Sequence, residues 1–125
     1  LPPIGQANAD ISEGAILRMR VRLMPPATLE CERNDLTSYT GFVVDYERTP
    51  ALTRITIRTD AGTTETIETK HSVAEDAYLL NGEPFTQADW PAIESSQGVL
   101  HPNMRVTAWV CLDGKTRPVL DWRPS

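Results

Sequence analysis

Apolar and polar residues alternate along several parts of this chain, as they do in strands that bury one face. In residues 14–24, aliphatic side chains alternate with Arg18, Arg20 and Arg22, so the three arginines share one face of a predicted strand. The same alternation predicts further strands over residues 40–48, 52–59, 63–70, 104–112 and 115–123. The chain is therefore expected to be mainly β.

The apolar faces of these strands predict the core. In the strand over residues 40–48, the alternation places Phe42, Val44 and Tyr46 inward. A shift of one residue would turn a strand over, so the inward residues also predict which face of the sheet is covered. The side chains that we expect to be core are Phe42, Ile55, Ile57, Val106 and Val110.

Turn residues separate the strands. Residues 60–62 and the pair Asn81-Gly82 each favour a turn, because asparagine, aspartate and glycine accept the backbone angles that turns require. The pair Asp113-Gly114 is the strongest short signal for a two-residue hairpin. We therefore expect the last two strands to pair directly across it.

One segment departs from the strand pattern. Residues 86–97 predict a short helix, with Thr86 at the N-cap and Asp89 at the capping-box position. Trp90 and Ile93 would form its buried side.

The order of these elements (three strands, a helix, two strands) resembles that of an OB-type five-stranded barrel, in which a helix follows the third strand. We therefore expect a small closed or partly open antiparallel β-barrel over residues 14–125, with 14–24 as an extra strand and 1–13 as an N-terminal arm. An SH3-like barrel and a small β-sandwich are the alternatives.

Composition fits one folded domain: 125 residues, of which 40% are hydrophobic and 23% charged. No apolar run approaches the length of about 18 residues that a membrane helix needs. The net charge of −5 argues against nonspecific coating of DNA. Residues 59–104 hold eight acidic residues against Lys70, a local balance of −7.

Arginines supply the most suggestive binding chemistry. Guanidinium groups bind phosphate and other anions, and single-stranded nucleic acid also stacks on exposed aromatic rings. The alternative is a solvated strand face whose arginines pair with carboxylates across strands. The candidate anion or nucleic-acid residues are Arg18, Arg20, Arg22, Arg54, Arg58 and Trp109.

Cys31 and Cys111 match no metal or redox motif, so small buried side chains are the favoured interpretation and a Cys31–Cys111 disulfide is the alternative. A disulfide would indicate an oxidising compartment. Because the chain starts at Leu1, we expect either an exported protein after processing or a cytoplasmic one.

Catalytic and metal-binding motifs are absent from the sequence. His71 and His101 stand alone, as surface or capping histidines usually do, and no nucleophile or phosphate-loop signature occurs. We expect no metal, no cofactor and no enzymatic activity. The sequence favours a binding module that acts on a protein partner or on its own copy. A single-stranded nucleic-acid-binding domain and a small exported disulfide protein are the alternatives.

Overall fold

Residues 30–124 are described by the computed structural model, and strands make up 54% of them. Seven strands form one mixed sheet and two form a small separate sheet. In chain order the strands are β1 (Leu36–Thr49), β2 (Leu52–Thr59), β3 (Thr64–Lys70), β4 (Tyr78–Leu80), β5 (Glu83–Pro84), β6 (Glu94–Ser96), β7 (Val99–Leu100), β8 (Arg105–Cys111) and β9 (Val119–Arg123). The helical turns are 3₁₀ at Arg33–Asp35, Ala74–Ala77 and Gln87–Asp89, and α-helical in α1 (Trp90–Ile93).

The main sheet has the strand order β3-β2-β1-β8-β9-β4-β5. Its neighbours are antiparallel except β4 and β9, which are parallel. The prediction of a mainly β domain is confirmed, but the described strands do not form a closed barrel. The parallel β4 extends the sheet beyond β9 and leaves β3 and β5 at opposite edges. The predicted arm (1–13) and extra strand (14–24) lie outside the described residues.

A β-bulge in β1 changes which of its side chains face the core. The pairing of β1 with β2 shifts between Val43 and Asp45, so one extra residue interrupts the alternation. Val43 and Tyr46 pack against the core, whereas Phe42 and Val44 are 45% and 54% exposed. The prediction that Phe42 is a core residue is wrong, because strict alternation assumes a strand without a bulge.

The core lies between α1 and the face of the main sheet to which Val43 and Tyr46 belong. Ile55, Ile57 and Val106 are fully buried, as predicted, and Val110 is half-buried against them. Aromatic rings complete this core through edge-to-face contacts, in which Tyr78 meets three neighbours. These neighbours are Phe85, Trp90 and Trp122.

The predicted helix begins as expected and ends early. Thr86 and Asp89 form the expected capping box, in which the Thr86 backbone N–H donates to Asp89 Oδ2 over 2.9 Å. The helix stops at Ile93, and Glu94 is extended instead. The extended backbone starts β6, where the Glu94 side chain is buried and bonded to Arg48. A distant partner therefore overrides the local helix signal.

The turn at Asp113 is wider than predicted. Gly114 has a φ of +76°, as a turn glycine should, but β8 ends and β9 begins with residues 112–118 between them. The Asp113 carboxylate accepts hydrogen bonds from the backbone N–H groups of Lys115 and Thr116. This side-chain-closed turn replaces the two-residue hairpin, because aspartate can substitute for a backbone acceptor.

The structure contains the Cys31–Cys111 disulfide, which was the alternative interpretation of the two cysteines. Cys31 and Cys111 are bonded, with a sequence separation of 80 residues. The bond ties the segment before β1 to the end of β8. A cross-link that closes a loop of this length stabilises a fold by about 4.5 kcal/mol in the chain-entropy model.

Candidate ligand-binding cleft

A cleft of about 580 Å³ opens where β1 turns into β2, at the end of the sheet that α1 covers. Three chain segments form its walls: the β1–β2 turn, the residues that follow β3, and the stretch from α1 through β6. The residues that line it are 48–50, 71–75 and 94–97, together with Gln87, Trp90 and Pro91.

A buried ion pair holds the inner wall of the cleft. Arg48 binds Glu94 with both arms of its guanidinium: Nε donates to Oε2 and Nη2 to Oε1, each over 2.8 Å. The Gly98 backbone N–H donates to Oε1 over 3.0 Å, and the Tyr46 hydroxyl donates to Oε2. Burial opposes the ionisation of Glu94, but these donors outweigh it and hold its pKa below the ordinary value.

A chain of hydrogen bonds leads from Glu94 to the opposite wall. The Tyr46 and Tyr78 hydroxyls are 3.2 Å apart, and Thr53 Oγ1 lies 3.0 Å from the Tyr78 hydroxyl. Thr53 Oγ1 also lies 2.9 Å from Nε2 of His71. Burial raises the pKa of both tyrosines, so both hydroxyls keep their protons.

The carboxylate sets the direction of every bond in this chain. Because the Tyr46 proton is given to Glu94, Tyr78 must donate to Tyr46 and Thr53 must donate to Tyr78. His71 must then donate from Nε2 to Thr53. The imidazole is therefore the neutral Nε2–H tautomer, and its Nδ1 is a buried acceptor with no donor among the described residues.

His71 was expected at the surface or in a cap, and that expectation is wrong. The residue is 7% exposed. Burial lowers its pKa, and the positive charges of Arg117 and Arg48 lower it further, while Asp76 opposes them. The ring is thus neutral near pH 7 and adds no charge to the cleft.

The outer wall is built around Trp90. The guanidinium carbon of Arg48 lies 4.4 Å from the centre of the Trp90 ring, a cation–π contact. The indole Nε1–H donates to Glu75 Oε2 over 2.7 Å, and the Gln87 amide donates to the same oxygen. The side chains of both walls are therefore held in place before any ligand arrives.

The predicted arginine face is not assembled at this cleft. Arg54 forms ion pairs with Glu47 and Glu68 on the open face of the sheet, which is the alternative arrangement that the sequence offered. Arg58 is exposed on β2. Arg18, Arg20 and Arg22 lie outside the described residues.

Trp109 does not supply the exposed aromatic ring that we expected. It is only 6% exposed, so its ring is not available for stacking. Both faces of β8 are covered: Val106 and Ala108 are buried on one face, and Trp109 and Cys111 on the other. Alternation shows which residues share a face, and here the second face is buried as well.

The contacts between the residues of the cleft could not be predicted from the sequence. Arg48 and Glu94 lie 46 positions apart, and Tyr46 and Tyr78 lie 32 apart. Two features could have drawn attention: an arginine at the end of an otherwise apolar strand face, and Thr53 at a position where the alternation calls for an aliphatic residue.

Comparisons with known proteins identify no relative: no protein-family model, curated protein or solved structure matches this chain. Within residues 30–124, no helix is long and apolar enough to cross a membrane. The same residues contain no group of three or more histidine, cysteine or acidic side chains placed to hold a metal ion.

Proposed function

We propose that this protein is an exported, non-catalytic binding module that holds a polypeptide segment of a partner in the cleft beside Trp90. The observation that carries the proposal is the preformed cleft, whose polar wall groups are fixed by a buried hydrogen-bond network. Ligand sites are typically concave, mostly preformed and lined by apolar surface with a few oriented polar groups.

The groups of the network support binding better than catalysis. Glu94 accepts hydrogen bonds at both carboxylate oxygens and is paired with Arg48, so it is a poor base. The two tyrosines hold their protons, and the Thr53 hydroxyl is fully buried. An acid–base catalyst needs a group whose proton can reach the substrate. The network instead holds the side chains of the cleft walls in fixed orientations.

The shape of the site favours an extended chain. A second hollow of about 550 Å³ adjoins the cleft and shares with it the lining residues Arg48, Thr49, Pro50 and Gln97. We infer that the two together offer an elongated site beside the β1–β2 turn. Three exposed apolar side chains stand on its rim among serines and glutamines: Pro50, Pro91 and Val73, which is 48% exposed. Exposed apolar surface beside oriented polar groups suits a peptide better than a compact polar metabolite.

The disulfide supports export, because disulfides persist in oxidising compartments and are rare where thiols are kept reduced. Titration of free thiols in the unfolded, unreduced protein purified from an oxidising compartment tests this part. We expect none, and two free thiols per chain would contradict it.

Peptide selection tests the binding site. A displayed library of random linear peptides is panned on the immobilised protein, and the enriched peptides are measured against Val73→Arg, which places a long charged side chain on the rim. We expect affinity to fall at least about tenfold. The control is Val44→Arg, an equal change at a position that is 54% exposed on the bulge and away from the cleft.

Two outcomes would contradict the proposed site. One is the absence of any enriched peptide. The other is a set of peptides that bind Val73→Arg as tightly as the unchanged protein, which would move the interaction surface elsewhere. Enrichment of nucleic acid in a parallel selection, abolished by Arg58→Glu, would favour the alternative of an OB-type nucleic-acid-binding domain.

A further inference from the structure

The charges in the cleft walls do not balance. Arg48 is neutralised by its bidentate contact with Glu94, and His71 is neutral in its Nε2–H form. Among residues 30–124, the remaining charged group of the lining is the carboxylate of Glu75. The walls therefore carry one negative charge that the other wall groups leave uncompensated.

The partners of Glu75 are neutral. The Trp90 indole and the Gln87 amide both donate to Oε2, and neither carries a charge. Glu75 takes part in none of the ion pairs among the described residues. Its other oxygen, Oε1, accepts no hydrogen bond within residues 30–124. The carboxylate is oriented on one side and left with an open acceptor on the other.

A positioned carboxylate of this kind matches a cation. Hydrogen bonds between a carboxylate and a protonated amine or guanidinium are short and strong, and they gain strength where apolar walls exclude water. An anionic ligand group would instead be repelled by the Glu75 carboxylate.

We propose that the cleft recognises a basic side chain of the bound polypeptide, a lysine or an arginine, and that Glu75 Oε1 accepts its hydrogen bond. The proposal rests on the proposed function, because it assigns the chemistry of the same cleft. The Glu75 contact adds a specificity that the shape of the cleft alone does not supply, because a neutral side chain of equal length should bind less well.

The indole N–H of Trp90 reports on this carboxylate directly, since it donates to Glu75. The probes are Nα-acetyl-lysine amide and its neutral counterpart Nα-acetyl-norleucine amide, each titrated while the Trp90 indole signal is followed by ¹H–¹⁵N correlation NMR. We expect a saturable shift with the lysine probe and at least about tenfold weaker binding of norleucine.

Two variants locate the effect. Glu75→Gln keeps an acceptor for the Trp90 N–H but removes the charge, so the preference for lysine should disappear. Glu83→Gln removes the same charge from an exposed position on β5 and should leave the preference intact. The comparison of the two probes on the unchanged protein needs no variant, so it stands even if Glu75→Gln is poorly folded.

Equal shifts from both probes, no shift from either, or a lysine preference that survives in Glu75→Gln would each overturn the inference. Such failures remain separate from failure of the proposed function. If the selected peptides still require the rim at Val73, the cleft binds a partner without recognising a cation. If the selected peptides bind Val73→Arg as tightly as the unchanged protein, the cleft is not the binding site.

Discussion

Replacing Arg48 by methionine tests whether the buried ion pair supports the cleft. The side chains of Arg48 and Glu94 are only 18% and 5% exposed, and two hydrogen bonds of 2.8 Å join them. Removing one partner of a buried pair costs about 3–5 kcal/mol, because the other charge stays buried without compensation. Tyr46 and Gly98 still donate to Glu94, so we expect the lower end, about 3 kcal/mol.

The assay is equilibrium unfolding in urea at pH 7, followed by tryptophan fluorescence. Lower pH provides an internal check. The pKa of Glu94 is below its ordinary value in the unchanged protein, so the stability that ionised Glu94 contributes is present above the unfolded-state pKa and is lost as the pH falls through the folded-state pKa. In Arg48→Met the carboxylate protonates more readily. The difference between the two proteins should therefore shrink towards pH 4.

Arg54→Met is the matched control. Arg54 also contacts two carboxylates, but its side chain is 43% exposed and the pairs lie at the surface. We expect a loss below about 1 kcal/mol. If Arg48→Met costs no more than Arg54→Met at pH 7, or if its cost does not change with pH, the ion pair does not stabilise the wall as described.

Three further predictions concern the fold and the hydrogen-bond chain. Ile57→Ala should cost about 2–5 kcal/mol in urea unfolding and Phe42→Ala less than about 1 kcal/mol, because Ile57 is fully buried and Phe42 is 45% exposed; equal losses would contradict the bulge. Gly41→Ala should be strongly destabilising in the same assay, because its Cβ would lie 2.0 Å from the carbonyl oxygen of Arg58, and an unchanged urea midpoint would show that the strands are not packed so closely. His71 has a lowered pKa when folded, so its contribution to stability is complete above the unfolded-state pKa of about 6.5 and declines as the pH falls below it. The urea midpoint of the unchanged protein should therefore fall more between pH 7 and pH 5 than the midpoint of His71→Gln does. In addition, ¹⁵N NMR should find the imidazole proton on Nε2. A proton on Nδ1 would contradict the assigned directions of the hydrogen bonds.

Strand positions were readable from the sequence where a strand is regular. Residues 52–59 alternate without interruption, and β2 has the expected bounds. In β1 the same reasoning failed at Phe42, because a single extra residue at the bulge reverses the faces and leaves no mark in the pattern. The prediction that Trp109 is exposed failed for another reason. Alternation separates the two faces of a strand but does not show whether one face or both are covered.

The cleft could not be predicted because its contacts are distant in sequence. Glu94 lies in a stretch whose local signal is helical, but it is extended there, pairs with Leu100 in the small sheet and contacts Arg48, 46 positions away. Thr53 occupies a core position of β2 that an aliphatic residue would suit, and its hydroxyl is needed only because Tyr78 and His71 meet it there. The fold brings these distant residues together, and short-range sequence patterns contain no information about such contacts.

The most direct test of the binding proposal is to map where a selected peptide contacts the protein. The tightest peptide from the selection is titrated into ¹⁵N-labelled protein, and shifts are followed for backbone amides and the Trp90 indole. The proposed cleft predicts that the largest shifts fall on Trp90, Val73 and Ser95, which line it. Shifts that centre instead on the exposed edge strand β3, with Trp90 unmoved, would contradict it.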